Sequence, residues 1–382
     1  MDQDFIDKIL LIGATLALFL AVLLLRKKGK ALHDYIISVW LIFLGLYVAV
    51  YSFGPTHFFI DHPWLINFYI SLLFLNSPVL FVYVKAITNS EYKLCKGIFW
   101  HLLPFILFSI YINFSFHAQD ILMNVSSVHG EAKMELPLPY FVFLILLAFS
   151  VPFYIFLSIT LLLKHRKIIT NNFSDLEKRT LTWLRNLIII LGIVWVILAS
   201  IIFIHHVLLL FSDSFCINGL FMTLSAFIVM VGYFGLYQPA IFTSEVTSTP
   251  IDIDKPDKPY SGTSLKEEDT QQYIAILDDY MKNEKPYLNN ELTLHQLATE
   301  VNILPHYLSR VINEHYKQNF FDFVNQYRVN EFIHRLPNPK YSNYSLLAIA
   351  FDCGFNSKTT FNRYFKKAIG LTPSEYKSKK AN

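Results

Sequence analysis

The feature that most limits what this chain can become is a series of seven long apolar runs in its first two-thirds. They lie near residues 6–25, 35–53, 64–84, 98–116, 139–163, 186–211 and 215–237. Each is close to the 20 or so residues a helix needs to cross a ~30 Å hydrocarbon core. In lipid every backbone N–H and C=O must be satisfied internally, so each run is expected to be helical. Composition agrees: 54% apolar and only 16% charged residues is too apolar for an ordinary soluble protein. From about Ser264 onward, however, charges recur every few residues, so two bodies with different solvents are expected. The first run follows Asp2, Asp4 and Asp7 and precedes Arg26, Lys27 and Lys28. That is the reverse of a signal peptide, and the run is read as a retained span.

Cytoplasmic loops carry the excess Lys and Arg. On one side of the runs lie Arg26, Lys27, Lys28, Lys30, Lys85, Lys93, Lys96, Lys164, Arg166, Lys167, Lys178, Arg179 and Arg185, thirteen in all. On the other, only Lys133 lies in a loop, with Lys8 at the start of the first run. The bias places the amino terminus outside a bacterial cytoplasmic membrane and, after seven spans, the carboxyl terminus in the cytoplasm. The external loops are short, the longest running over residues 117–138, so any signal is expected to act on the bundle itself or through a membrane partner.

On these bounds, spans two to seven contain no Asp or Glu. Ionisable groups inside a membrane usually mark ion paths or catalysis, and neither HExxH nor GxSxG occurs. No catalytic group, metal set or cofactor is implied. The polar residues within the runs are Asn67, Asn76, His101, Asn113, His205, His206 and Asn218. Asn76, His101, Asn113 and His205 are candidates to line a ligand cavity; the competing expectation is interhelical hydrogen bonding. His205 and His206 point about 100° apart on a helix and make a poor metal pair. Pro78, Pro104 and Pro152 are expected to kink their helices. Cys95, Cys216 and Cys353 form no CxxC pair and read as free thiols.

Residues 241–264, rich in Ser, Thr, Pro, Asp and Lys, read as a flexible linker after a membrane domain of residues 1–240. Helical periodicity returns at YIAILDDYM, Tyr273 to Met281. In LTLHQLATEV, Thr293 is placed to cap a helix whose Leu294, Leu297, Ala298 and Val301 form one apolar face. Asn302 and Ile303 make a turn, and a second helix runs from Leu304 to Tyr316 with Pro305 in its first turn. Its Leu308, Val311 and Ile312 face inward, leaving His306, Ser309, Arg310 and Asn313 toward solvent. About fifty residues later the pattern repeats. SLLAIAFDCGF ends on a Gly354 turn, and KTTFNRYFKKAIG forms a helix with Phe361, Tyr364 and Phe365 inside and Thr359, Thr360, Asn362, Arg363, Lys366 and Lys367 outside. NFFDFVNQYRVNEFIHRL, Asn319 to Leu336, is a long connecting helix. From Asn302 to Asn382 there are twelve Lys and Arg against five Asp and Glu, a net +7 suited to phosphate backbones.

The paired repeat resembles the AraC/XylS transcription regulators, in particular those with several transmembrane helices before the DNA-binding domain. The resemblance rests on YLSRVINEHYKQNFFDFVNQYRV, Tyr307 to Val329, and on GFNSKTTFNRYFKKAIGLTPSEY, Gly354 to Tyr376. It covers roughly residues 270–380, with a looser likeness at NSPVLFVYVKAIT. It implies that the first recognition helix reads bases through His306, Ser309 and Arg310, and the second through Thr359, Asn362 and Arg363. Asn313, Thr360, Lys366 and Lys367 are then assigned to the DNA backbone. Two features depart from the family: a long PNPKYSNY loop at residues 337–344, and Ile312 where Phe is usual.

The expectation is an all-α protein: a seven-helix transmembrane bundle, a linker, and a double helix-turn-helix domain at residues 265–382 able to bind its site without the bundle. Double-stranded DNA, the lipid bilayer and an unidentified signal ligand or membrane partner are the expected partners, with a homodimer as one further arrangement. The alternative is a seven-span receptor whose cytoplasmic helical domain binds a protein partner.

Overall fold

The computed structural model describes residues 3–53, 63–89, 92–94, 96–115, 138–176, 179–208, 213–237 and 267–381. Among them the protein is all-α, with one isolated antiparallel bridge and no strand. Two compact units form. One comprises Met1–Leu162 with Thr182–Thr247; the other comprises Leu163–Leu181 with Ser248–Asn382. The linker expected at 241–264, the external loop at 117–138 apart from Leu138, and Cys95 lie outside the described residues.

The first unit contains α1 (Gln3–Arg26), α2 (Leu32–Ser52), α3 (Pro63–Ser71), α4 (Asn76–Thr88), α5 (Phe99–Ser115), the first part of α6 (Leu138–Asn172), α7 (Thr182–Leu208) and α8 (Asp213–Tyr237). Six described helical stretches are long and apolar enough to span a membrane. The fourth expected span, α5, has 17 residues, the lower end of the spanning range of about 17–25. The third is not one helix: α3 passes through a tighter turn at Leu72–Leu75 before α4 begins. Pro78 explains this, since it has no N–H for the Phe74 carbonyl and its ring crowds that turn. α6 runs to Asn172, nine residues past its expected end.

Small residues let these helices approach. A Cβ on Gly45 of α2 would lie 3.1 Å from the Ala14 carbonyl of α1, and one on Gly13 would lie 2.9 Å from Ser225 of α8. Asp34, in the first turn of α2, is buried at the end of the helix. Its carboxylate accepts from the Ala31 N–H at 2.9 Å and pairs with Lys27 at 3.0 Å, whose side chain is equally enclosed.

The second unit holds α9 (Glu267–Asn283), α10 (Leu294–Glu300), α11 (Pro305–Glu314), α12 (Phe320–Arg335), α13 (Leu346–Asp352), α14 (Lys358–Ile369) and α15 (Pro373–Ala381). It has two apolar cores, and α12 supplies both. Phe320, Phe323 and Val324 point into the first with Leu297, Leu308 and Ile312. Phe321, Val329 and Phe332 point into the second with Ile349, Phe361 and Phe365. Spacing of three and four residues on each of two faces lets one helix serve both cores. The second core has an unexpected contributor: Ile169, Phe173 and Leu176, from the end of α6 and the segment after it, are buried within it.

Candidate nucleic-acid interface

Each helix pair is closed by the same turn. After α10, Asn302 adopts a left-handed φ of 53°, its N–H donates to the Thr299 carbonyl, and the Ile303 N–H donates to the Ala298 carbonyl. After α13, Gly354 has φ 93°, its N–H donates to Phe351, and the Phe355 N–H donates to Ala350. These are matching Schellman closures. The caps match too. Thr293 opens α10 with a capping box to Gln296, and Ser345 opens α13 by accepting from the Ala348 N–H at 3.1 Å. Two homologous helix-turn-helix units are therefore built from different residues at the same positions.

The expected recognition helices are α11 and α14. On α14, Phe361, Tyr364 and Phe365 turn inward, while Thr359, Arg363, Lys366 and Lys367 are exposed and Thr360 and Asn362 half-buried. Ser357 caps the helix by accepting from the Thr360 N–H. Lys367 pairs with Asp322 at 2.9 Å and lies over the Tyr364 ring. Arg363 meets no carboxylate among the described residues.

On α11, Leu308, Val311 and Ile312 are buried and His306, Arg310 and Asn313 exposed. Ser309 departs from its expected solvent-facing position, being only 5% exposed. Its carbonyl and hydroxyl accept from the Asn313 amide at 2.8 and 3.2 Å. Arg310 reaches along its own helix to Glu314, its Nε donating to both carboxylate oxygens at 3.0 and 2.9 Å. His306, Ser309, Arg310 and Asn313 form one wall of an open polar cleft of about 600 Å³. Lys167, Ile168, Thr170, Asn171 and Asn172, at the end of α6, also line it.

Behind these helices sits a group that sequence analysis did not single out. Arg328 of α12 is 1% exposed. Its Nε donates to the Tyr287 carbonyl at 2.8 Å and its Nη2 to the Asn289 carbonyl at 2.8 Å. Nη1 donates to the Ser174 carbonyl at 3.2 Å and the Asn325 Oδ1 at 3.4 Å, and Nη2 to the Ser174 hydroxyl at 3.1 Å. Burial lowers the guanidinium to about 10, opposed by the Asp175 charge, so it remains a cation at neutral pH. The available signal was register: Arg328 lies seven residues after Phe321 and four before Phe332, on a buried face. Burial also pushes the Cys353 thiol up to about 12, leaving it protonated and unreactive.

A helix-turn-helix domain family profile matches residues 297–379. These residues are an AraC-type helix-turn-helix domain. The AraC-type domain carries both Schellman turns and both recognition helices. An uncharacterized response regulatory protein of Staphylococcus epidermidis is 29% identical over 104 residues, 26% of this chain and 40% of its own length. The transcriptional regulatory protein HptR of Staphylococcus aureus is 27% identical over the same shares. An uncharacterized HTH-type transcriptional regulator of Escherichia coli, YpdC, is 33% identical over 88 residues, 23% of this chain and 30% of its own length. The chain thus spans no more than 40% of the length of these relatives. No solved structure matches it.

Three of the four candidate bundle-ligand residues have partners within the first unit. Asn76 accepts from the Trp40 indole at 3.0 Å, His101 Nδ1 meets the Tyr154 hydroxyl at 2.9 Å, and Asn113 donates to the Ser109 carbonyl. His205 lies in α7, with its side chain outside the described residues. Pro152, Trp195 and Phe203 line an apolar groove of about 400 Å³ in the same unit. Among the described residues no group of His, Cys, Asp or Glu is placed to hold a metal.

Proposed function

We propose that this protein is a membrane-anchored, sequence-specific DNA-binding transcription regulator that couples an event in its membrane bundle to gene expression. The observation that carries it is the pair of matching helix-turn-helix units, each presenting an amphipathic second helix with polar and cationic residues outward. One chain therefore holds two helices for two successive major-groove segments. Arg363 and Arg310 have the side chain that reads guanine bidentately, and Lys366 and Lys367 fit phosphates. The names of the relatives support a role in transcription regulation. The basic loops support a cytoplasmic carboxyl terminus, with the short α5 counted as a span and the amino terminus outside the bacterial inner membrane. The proposal includes an unidentified signal ligand or membrane partner and a homodimer as one further arrangement.

The test uses the full chain in lipid nanodiscs, incubated with a random-sequence duplex pool. Selective enrichment of a two-part site, with affinity falling steeply as salt rises, is the expected result. Binding that is equal for all sequences would favour the protein-partner alternative. A periplasm-only reporter should be active when fused in the 117–138 loop and silent when fused after Asn382.

A further inference from the structure

The segment Leu163–Leu181 joins two membrane helices in sequence, yet it belongs to the compact unit that contains the AraC-type domain. It is held there by contacts of three kinds: apolar packing, backbone hydrogen bonding, and hydrogen bonds from the domain's polar side chains. Phe173, 4% exposed, sits in the second core with Ile169 and Leu176. Its backbone bridges antiparallel to Thr293, and the Ser174 N–H donates to the Leu292 carbonyl at 3.2 Å. Asp175 accepts from the Asn356 amide at 2.9 Å, immediately before the α14 cap. The third kind is the strongest constraint: Ser174 accepts two of the five hydrogen bonds that Arg328 makes. A buried guanidinium is tolerated only when its donors are matched, so the segment and the first half of the domain share one polar hub, whose guanidinium also lies 6.0 Å from the Phe355 ring of the second half.

Docked this way, the end of α6 stands beside α11. A helix with its side chains is about 10–12 Å across, and the major groove that must receive it is about 12 Å wide. No room remains for a second chain segment along the same flank. The residues at issue are those assigned to base reading: His306, Ser309 and Arg310 share their cleft with Lys167, Ile168 and Asn171. On α14, Thr359, Arg363, Lys366 and Lys367 are exposed.

We propose that residues 163–181 are a releasable clamp, whose docking surface on the AraC-type domain is the Leu292–Thr293 edge, Arg328 and Asn356, and that the clamp and DNA compete for α11. This rests on the DNA-binding reading above. Because the segment is covalently continuous with α6 and α7, a change in those helices is transmitted to it directly. The membrane bundle thereby sets how often the first recognition helix is free, while the second remains available.

Two variants of the full chain in nanodiscs test this, with duplexes selected from a random pool by the loosened variant as the probe. Ser174→Ala combined with Asp175→Ala loosens the clamp but spares its apolar contacts. Its affinity should rise about three- to tenfold, with protection from cleavage gained over the half-site read by α11. Phe173→Cys with Thr293→Cys joins a bridged pair close enough for a disulfide. The oxidised form should bind at least about tenfold more weakly than the reduced form of the same protein. Equal affinity in the two redox states, or weaker binding by the loosened variant, would overturn the clamp while leaving DNA binding intact. Absence of selective binding by every form would instead overturn the DNA-binding reading, and the clamp with it.

Discussion

The two recognition helices are alike in fold and unlike in circumstance. Both follow a Schellman turn and both bury a three-residue apolar face, Leu308, Val311 and Ile312 in α11 and Phe361, Tyr364 and Phe365 in α14. Yet the outward face of α14 is exposed at Thr359 and Arg363, whereas α11 has Ser309 buried and Arg310 drawn onto Glu314. A repeated motif does not guarantee repeated accessibility. Part of the difference lies within α11 itself, where Arg310 and Asn313 bond one turn along the helix, and part in the cleft that α11 shares with the end of α6.

The largest expected effect comes from removing what both halves share. Arg328→Ala leaves the Tyr287, Asn289 and Ser174 acceptors buried without their donor, a loss of about 3–5 kcal/mol. Amide exchange of α12 in the full chain should accelerate accordingly. A loss below about 1 kcal/mol would mean that apolar packing alone joins the two halves. Gly354→Ala should follow at about 2–3 kcal/mol. A Cβ there would lie 2.4 Å from the Tyr287 carbonyl and 2.9 Å from the Arg328 Nε, on a backbone with φ 93°. At the equivalent turn Asn302→Gly should change stability by only a few tenths, since Asn already tolerates that conformation.

Arg363→Ala should cost about 1–3 kcal/mol of discrimination at one base step. Arg310→Ala should show its full effect only once the clamp is loosened. Equal losses in both backgrounds would erase the asymmetry between the two helices. Lys366→Ala is expected to weaken all sequences alike and reduce the salt slope by about 0.9.

The smallest effect is on pH. Burial disfavours the Glu331 carboxylate, but hydrogen bonds and charges from Arg335 and Lys285 outweigh it and lower its pKa. A depressed folded-state value means that the contribution is present above the unfolded-state pKa near ~4.3 and lost as pH falls through the lower folded one. Melting of the second unit should therefore weaken in that acid window, and Glu331→Gln should remove this part of the dependence.

Much of the molecule was legible in one dimension. Thr293, Gly354 and the inward Phe361, Tyr364 and Phe365 were readable because caps, left-handed turns and apolar stripes depend on neighbours within about five residues. The length of α6 was not, because a basic stretch after an apolar run can continue as helix or leave as loop with equal local cost. Ser309 was placed outward by its periodicity, yet it is 5% exposed and accepts from the Asn313 amide one turn on.

By itself, then, the sequence determined the apolar helices, the two helix-turn-helix units and the cationic faces of α11 and α14, since each follows from short-range periodicity and charge. Only the tertiary structure decided that Phe173 and Ser174 join the second unit, that Arg328 becomes its buried hub, and that the first recognition helix shares a cleft with the end of α6. Those outcomes depend on which distant donors and apolar surfaces can be satisfied together, and no local pattern encodes that choice.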